Sequence, residues 1–182
     1  MALTATMHHV EVTLSDVDRG VYEQLDLRLA RHPSESSRYL LTRTLAYCLS
    51  YEEGIAFSKG GISDAEEPPV SVRDPTGLLV AWIDVGAPSA ERLHKAAKAA
   101  RLVQVYTHDA ALLLRGAAAR SIHRVEEIEV FRLETALLDA LSEILERKMK
   151  LELVRTDERL YVTCEGRVLE STVTPMSLVA PG

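Results

Sequence analysis

Asp84 is the last polar residue of an otherwise apolar stretch, Leu78 to Val85, and two more acids, Glu66 and Glu67, stand just ahead of Val70. A carboxylate at the end of an apolar strand is costly to bury unless it is paired or binds a cation. Two such groups facing one cleft can hold Mg²⁺ or Mn²⁺, with waters and a substrate phosphate completing the shell. A metal held in that way polarises a phosphodiester and generates hydroxide from water. The structural alternatives are ordinary ones. Asp84 can cap the next helix or salt-bridge a neighbour, and Glu67 can simply be solvated in an acidic loop.

Arg31, His32, Ser34 and Glu35 form a polar knot ahead of a helical segment, where backbone N–H groups can bind an anion. A capping role for Ser34 competes with that reading, since a cap stabilises a helix by about 1 kcal/mol. His8 and His9 are adjacent on a strand, so their rings point to opposite faces and cannot chelate one metal. Gly60 and Gly61 lack the spacing of a phosphate loop, and no Ser-His-Asp or Cys-His signature is present. Cys48 and Cys164 lie in apolar stretches without zinc or disulfide spacing, which fits a reducing compartment.

The elements that must position these residues are readable from periodicity. Residues 4 to 14 and 21 to 30 alternate, with Asp16, Asp18 and Gly20 between them, and predict a β-hairpin. Pro33 and Ser34 then open a helix over about 35 to 51, and Ile55 to Ser58 is a short apolar run. Lys59 to Pro69 reads as a surface loop. Val70 to Arg73 and Leu78 to Val85 are strands joined by Asp74-Pro75-Thr76-Gly77, good turn chemistry. An Ala-rich helix over about 89 to 101, a strand over 102 to 107, a helix over 109 to 119 capped by Asp109, a strand over 128 to 133 and a helix over 134 to 147 follow. Segments 149 to 155, 160 to 164 and 168 to 173 close the chain as an antiparallel meander. The connections between the three middle strands are short, so they too form an antiparallel meander, which places Glu66 or Glu67 beside Asp84.

The chain has 182 residues, 47% hydrophobic, with 21 Lys and Arg against 27 Asp and Glu and a formal charge of −6. This is the size of one packed domain, expected to span residues 1–182, in the mixed α+β class. Aromatics amount to 5%. With an acidic balance, that argues against extended wrapping of nucleic acid. The charge is unevenly spread: Arg92, Lys95, Lys98 and Arg101 face one acid, Glu91, across 88 to 101. No signal peptide and no apolar run long enough to span a membrane is visible, so a cytoplasmic location is expected.

The order helix, three-stranded meander, helix, strand, with one acid before the second strand and another closing the third, resembles the core of the PD-(D/E)xK, or restriction-endonuclease-like, nucleases. More narrowly, Met-Ala-Leu-Thr-Ala-Thr at the start, Leu-Ala-Arg-His-Pro-Ser-Glu at 29 to 35, Glu67-Pro68, Trp82-Ile83-Asp84-Val85-Gly86 and the helix bearing Arg92 and Lys95 resemble the YaeQ family of bacterial proteins from end to end. The resemblance implies a restriction-endonuclease-like core flanked by an N-terminal β-hairpin and a C-terminal antiparallel meander, in a bacterial cytoplasmic protein. It implies Glu67 and Asp84 as Mg²⁺ or Mn²⁺ ligands. Where a nuclease of this class carries Asp/Glu-x-Lys, this chain has Asp84-Val85-Gly86, and Lys95 on the next helix is the replacement candidate, though Glu91 and Lys95 also suit an ordinary i, i+4 surface pair. Glu53 matches an auxiliary acid of related nucleases, or else a solvated helix end.

Three readings follow: a divalent-metal-dependent phosphodiesterase or nuclease, or its degenerate descendant; a non-cleaving module that binds nucleic acid or protein on the same scaffold; and a structural or regulatory protein that pairs through a sheet edge. Fold analogy does not choose among them. The geometric expectation of the first is that Glu67 and Asp84 converge in one cleft, with Lys95 reaching the same space.

Overall fold

In a computed structural model, residues 4–60 and 65–181 are described. Asp64 of the acidic loop lies outside them. The strands are β1 (Thr6–Asp16), β2 (Val21–Arg31), β3 (Ile55–Phe57), β4 (Val70–Arg73), β5 (Leu79–Val85), β6 (Leu102–Thr107), β7 (Glu129–Leu133), β8 (Lys148–Thr156), β9 (Arg159–Cys164) and β10 (Arg167–Met176). The helices are α1 (Ser37–Leu49), α2 (Ala90–Ala99), α3 (Ala110–Ala117) and α4 (Thr135–Glu143). All strands belong to one ten-stranded mixed sheet in the order β2-β1-β8-β9-β10-β7-β6-β5-β4-β3. The mixed α+β class and the terminal hairpin and meander agree with the sequence.

Period-two alternation sends Val10, Val12 and Leu14 of β1 and Leu25, Leu27 and Leu29 of β2 to one face, where they join Val70, Ala81, Ile83, Leu133, Leu151, Val162 and Val173 around α1 and α4. The other face of β5, β6 and β7 presents Trp82, Val103, Val105 and Val130 to a second apolar cluster under α2 and α3. The sheet therefore curls around α1. That helix is buried on nearly every side, including Thr42, Arg43 and Thr44. Thr42 and Thr44 satisfy their hydroxyls on the carbonyls of Arg38 and Leu40.

Arg43 meets both ends of the sheet. It donates to the carbonyl of Ala30 in edge strand β2 at 3.0 Å, and its guanidinium lies 5.6 Å above the ring of Phe57 in edge strand β3. It is also paired with Glu35 at 3.0 Å, and both side chains are almost fully buried. Behind α1, the reversal into β3 needs Gly54 at φ 91°, where a Cβ would fall 2.1 Å from the carbonyl oxygen of Arg73.

Two boundaries differ from expectation. The cap of α1 is Ser36, whose Oγ accepts from the Tyr39 N–H, and not Ser34, which bonds the His32 ring at 2.7 Å. A turn closed by Glu35 N–H to His32 C=O occupies the preceding residues, so the helix starts two positions later than Ser34 would set it. The helix over 134 to 147 ends instead at Glu143, because Lys148 already begins β8 and residues 144–147 are needed for the reversal. Strand periodicity also gives no hint that β1 pairs in parallel with β8, from His9 opposite Lys148 to Asp16 opposite Arg155.

Replacing Arg43 with Leu strands a buried carboxylate, and urea denaturation is expected to show a loss of about 3 kcal/mol or more. Burial pushes the Glu35 carboxyl above its usual range, against the pull of Arg43. The native state then holds this proton more tightly than the unfolded chain, so the contribution of Glu35 falls as pH rises from the ordinary glutamate value through the raised one. Stability measured as the difference between wild type and Glu35→Gln should move against wild type over that window and then level off. A difference independent of pH would contradict the assignment.

Candidate functional site

Asp84 sits near the C-terminal end of β5, on the face that also carries Trp82, and is 2% exposed. Val85 still pairs with Tyr106, and Gly86 turns the chain out of the sheet. Gly86 takes φ 85°, its N–H donates to the carbonyl of Tyr106, and an added Cβ would touch the Tyr39 ring at 3.9 Å. Ser89 then caps α2 through the Arg92 N–H. This path brings the Arg92 side chain back over the strand it left.

Arg92 Nε lies 3.0 and 2.8 Å from the two oxygens of Asp84, and Trp82 Nε1 donates to Oδ2 at 2.9 Å. The remaining guanidinium nitrogens donate to the carbonyls of Ala65 and Glu67 at 2.8 and 2.9 Å. The same group stands 5.3 Å over the Trp82 ring. One side chain thus neutralises a buried carboxylate, ties down the loop ahead of β4 and stacks on an aromatic face, which a lysine's point charge would not reproduce.

Val70 pairs opposite Ile83, so the register does bring the segment before β4 to Asp84. Glu67 and Asp84 border one cleft of about 360 Å³, together with Tyr39, Gly86 and Arg92. The Glu67 carboxylate accepts from Ser58 Oγ at 3.2 Å. Lys95 is directed elsewhere, pairing with Glu66 at the surface. Neither Glu53 nor the Arg31 knot joins the cleft. Glu53 lies beyond the other end of α1, beside Arg73 and Asp74. Within the knot, Arg31 donates to the Glu35 carbonyl and to Ser37 Oγ, and Glu35 accepts from the His32 N–H.

Sequence reasoning missed Tyr39 and the role of Arg92. Burial pushes the Tyr39 hydroxyl up to about 12, helped by the nearby Asp84 carboxylate, so at neutral pH it keeps its proton and can donate into the cleft. Arg92 carried a usable signal: it falls in the first turn of the helix that follows Asp84, eight residues on.

A Mg²⁺ or Mn²⁺ site requires free carboxylate oxygens, and both oxygens of Asp84 are engaged. Among the described residues, no group of three or more His, Cys, Asp or Glu side chains is arranged to hold a metal ion. As the residues stand, a divalent ion at Asp84 would have to displace Arg92. What the cleft presents is the Tyr39 hydroxyl beside an Arg92–Asp84 pair already satisfied, with the Glu67 carboxylate at its border.

Truncating Arg92 to Ala leaves Asp84 buried and unpaired, and a stability loss of about 3 kcal/mol in urea is expected. The double replacement Asp84→Leu with Arg92→Met should recover most of that loss, because an apolar pair needs no charge compensation. Equal losses in the single and double variants would count against the ion pair as the reason.

The comparisons agree with this architecture over nearly its full length. The family model described as YaeQ protein matches residues 1–173. Proteins named "Uncharacterized protein YaeQ" from Salmonella typhi and Escherichia coli (strain K12) are 29% and 28% identical over 176 residues, covering 96% of this chain and 97% of theirs. The crystal structure of YaeQ protein from Xanthomonas axonopodis pv. citri superposes with a TM-score of 0.85 at 30% identity, covering 98% of this chain and 100% of that one. That of YaeQ protein from Pseudomonas syringae gives 0.82 at 25% identity, covering 95% and 96%. With a family model spanning almost the whole sequence and a shared fold at matching lengths, the chain belongs to the YaeQ family.

Proposed function

We infer that this protein is a non-cleaving nucleic-acid-binding module on a restriction-endonuclease-like scaffold. In it the Arg92 guanidinium takes the position that a divalent cation holds between carboxylates in an active nuclease. The observation that carries this reading is the hold of Arg92 on both oxygens of Asp84 and on the carbonyls of Ala65 and Glu67. An internal cation fixed at four points supplies the charge compensation without activating a water, so the scaffold keeps its shape and loses the hydrolytic step.

The proposed contact surface is α2. A shallow depression of about 480 Å³ on its outer side is lined by His94, Lys95, Lys98 and Arg120 and by one acid, Glu91. The His94 Nδ1 accepts from the His123 N–H, which fixes that ring in place. A short basic surface on an acidic chain favours a local phosphate contact over long wrapping. The Tyr39 hydroxyl, in the separate cleft beside Asp84, can donate to a phosphate oxygen.

A second reading has a specific observation behind it. Glu67 and Asp84 border the same cleft, so a metal that displaced Arg92 would find two carboxylates there, and Lys95, once released from Glu66, would be the water-orienting group. Mg²⁺ and Mn²⁺ calorimetry beside cleavage assays on DNA and RNA separates the two. The binding-module reading expects no saturable metal site and no cleavage. Mn²⁺-dependent cleavage abolished by Asp84→Asn would establish the nuclease instead.

Binding itself is tested by titrating a fluorescent duplex at low salt. Wild type should bind, and replacing Lys95, Lys98 and Arg120 together with Ala should weaken binding and flatten its salt dependence by up to about three counterions, one per lost contact. An unchanged salt slope would place any nucleic-acid contact away from α2.

A further inference from the structure

The far end of α1 holds a second polar cleft, of about 330 Å³, on the opposite side of the core from Asp84. That volume is at the lower end of small-molecule sites. Two flanks build it. Arg19, from the β1–β2 turn, and Arg155, from β8, stand on one; Gln104 of β6 and Glu129 of β7 stand on the other, with Ser50 of the α1 C-terminus between.

The second flank is held rigid. Gln104 Nε2 donates to Glu129 Oε2 at 2.7 Å, while Gln104 Oε1 accepts from Ser50 Oγ at 2.9 Å. Ser50 has one hydroxyl proton, so the Tyr106 hydroxyl, also 2.9 Å away, donates to it. Arg19 is anchored as well, donating to the carbonyls of Leu49 and Tyr51 at 2.7 and 2.6 Å.

Arg155 is different. It is 9% exposed, yet its nearest carboxylate oxygens, on Asp18 and Asp16, lie at 3.4 and 3.8 Å. Charge-assisted hydrogen bonds close to about 2.8 Å. Its Nε and the Asp16 Oδ2, which also stands 3.6 Å from Arg19 Nη1, make no hydrogen bond and are closed to solvent, so the terminal Nη atoms are the donors left for a ligand. A buried guanidinium that borders a cleft without close partners retains donors for an oxyanion. The charges lining the cleft, Arg19 and Arg155 against Glu52 and Glu129, cancel, and Leu49, Leu102 and Phe131 add apolar surface. A lone anion or a lone cation would meet an opposing like charge there; a molecule carrying both would not.

We propose that this cleft binds a small zwitterion with an apolar body, an α-amino acid or an amino-carboxylate of similar size, its carboxylate on the Arg155 fork and its ammonium on Glu129. The site is separate from Asp84 and does not depend on the reading of α2.

Calorimetric titration of the intact protein with L-leucine and L-phenylalanine tests this, beside L-leucinamide and N-acetyl-L-leucine, which each lack one charge. Saturable binding of a free amino acid is expected, with both blocked forms weaker by about tenfold or more, the value of one lost ionic contact. Arg155→Lys keeps a cation beside Asp16 and Asp18 but removes the fork, and should weaken L-leucine about tenfold. Glu129→Gln, at an exposed position and with an amide oxygen still able to accept from Gln104, should weaken L-leucine and leave N-acetyl-L-leucine unchanged. The absence of saturable binding by either amino acid would overturn the proposal. So would binding indifferent to both variants, or binding of N-acetyl-L-leucine in preference to L-leucine.

Discussion

The constraint on which this structure turns is the burial of one helix on nearly every side. A sheet that curls around α1 encloses its polar residues Thr42, Arg43 and Thr44, which must find partners inside, while Arg38 in its first turn reaches the surface and pairs with Asp139. The threonines bond back to their own helix. Arg43 has no such local solution, and it finds its partners at the two free edges of the sheet and in Glu35. The ion pair is therefore also a seam: it spans the gap that main-chain hydrogen bonding leaves between β2 and β3. The same enclosure gives α1 two accessible ends, Tyr39 near one and Ser50 at the other, and each opens on a polar cleft.

Charge compensation takes different forms at those two ends. Beside Tyr39, a carboxylate placed where an apolar strand ends is neutralised by a guanidinium eight residues away, with short contacts and an aromatic ring beneath it. Beside Ser50, Arg155 and Asp16 are buried together but stand apart by more than a hydrogen bond. The first is a closed arrangement that defines local shape. The second retains unused donor and acceptor capacity.

Local features were legible in the sequence for local reasons. The Asp74-Pro75-Thr76-Gly77 turn is built as its composition implies, with Asp74 Oδ1 accepting from Thr76 and Leu78 and Gly77 at φ 87°. The register that sets Val70 against Ile83 follows from that turn, and with it the approach of Glu67 to Asp84. Less readable was the cap itself: Ser34 suits the role by type, but the turn closed by Glu35 N–H on the His32 carbonyl moves the helix start to Ser36. The Arg92-to-Asp84 pair was within reach, because Ser89 fixes where the helix begins and so where Arg92 points. Nothing local joins Arg19, Ser50, Gln104 and Arg155. Their meeting depends on β1 lying beside β8, a pairing between distant segments that alternation cannot reveal.

That parallel pairing has a consequence in time. The N-terminal hairpin exposes one side of β1 until β8, whose first paired residue is Lys148 against His9, has been synthesised. Such long-range closure carries a large chain-entropy cost before any contact rewards it, and slows folding relative to a domain of local contacts. During translation the hairpin emerges early with an open edge, Val10, Val12 and Leu14 uncovered, and must wait for most of the chain. An unpaired edge of that kind is a template for pairing with other chains. The charged residues on the outward face of β1 and β2, Glu11, Asp26 and Arg28, keep that waiting hairpin polar on one side.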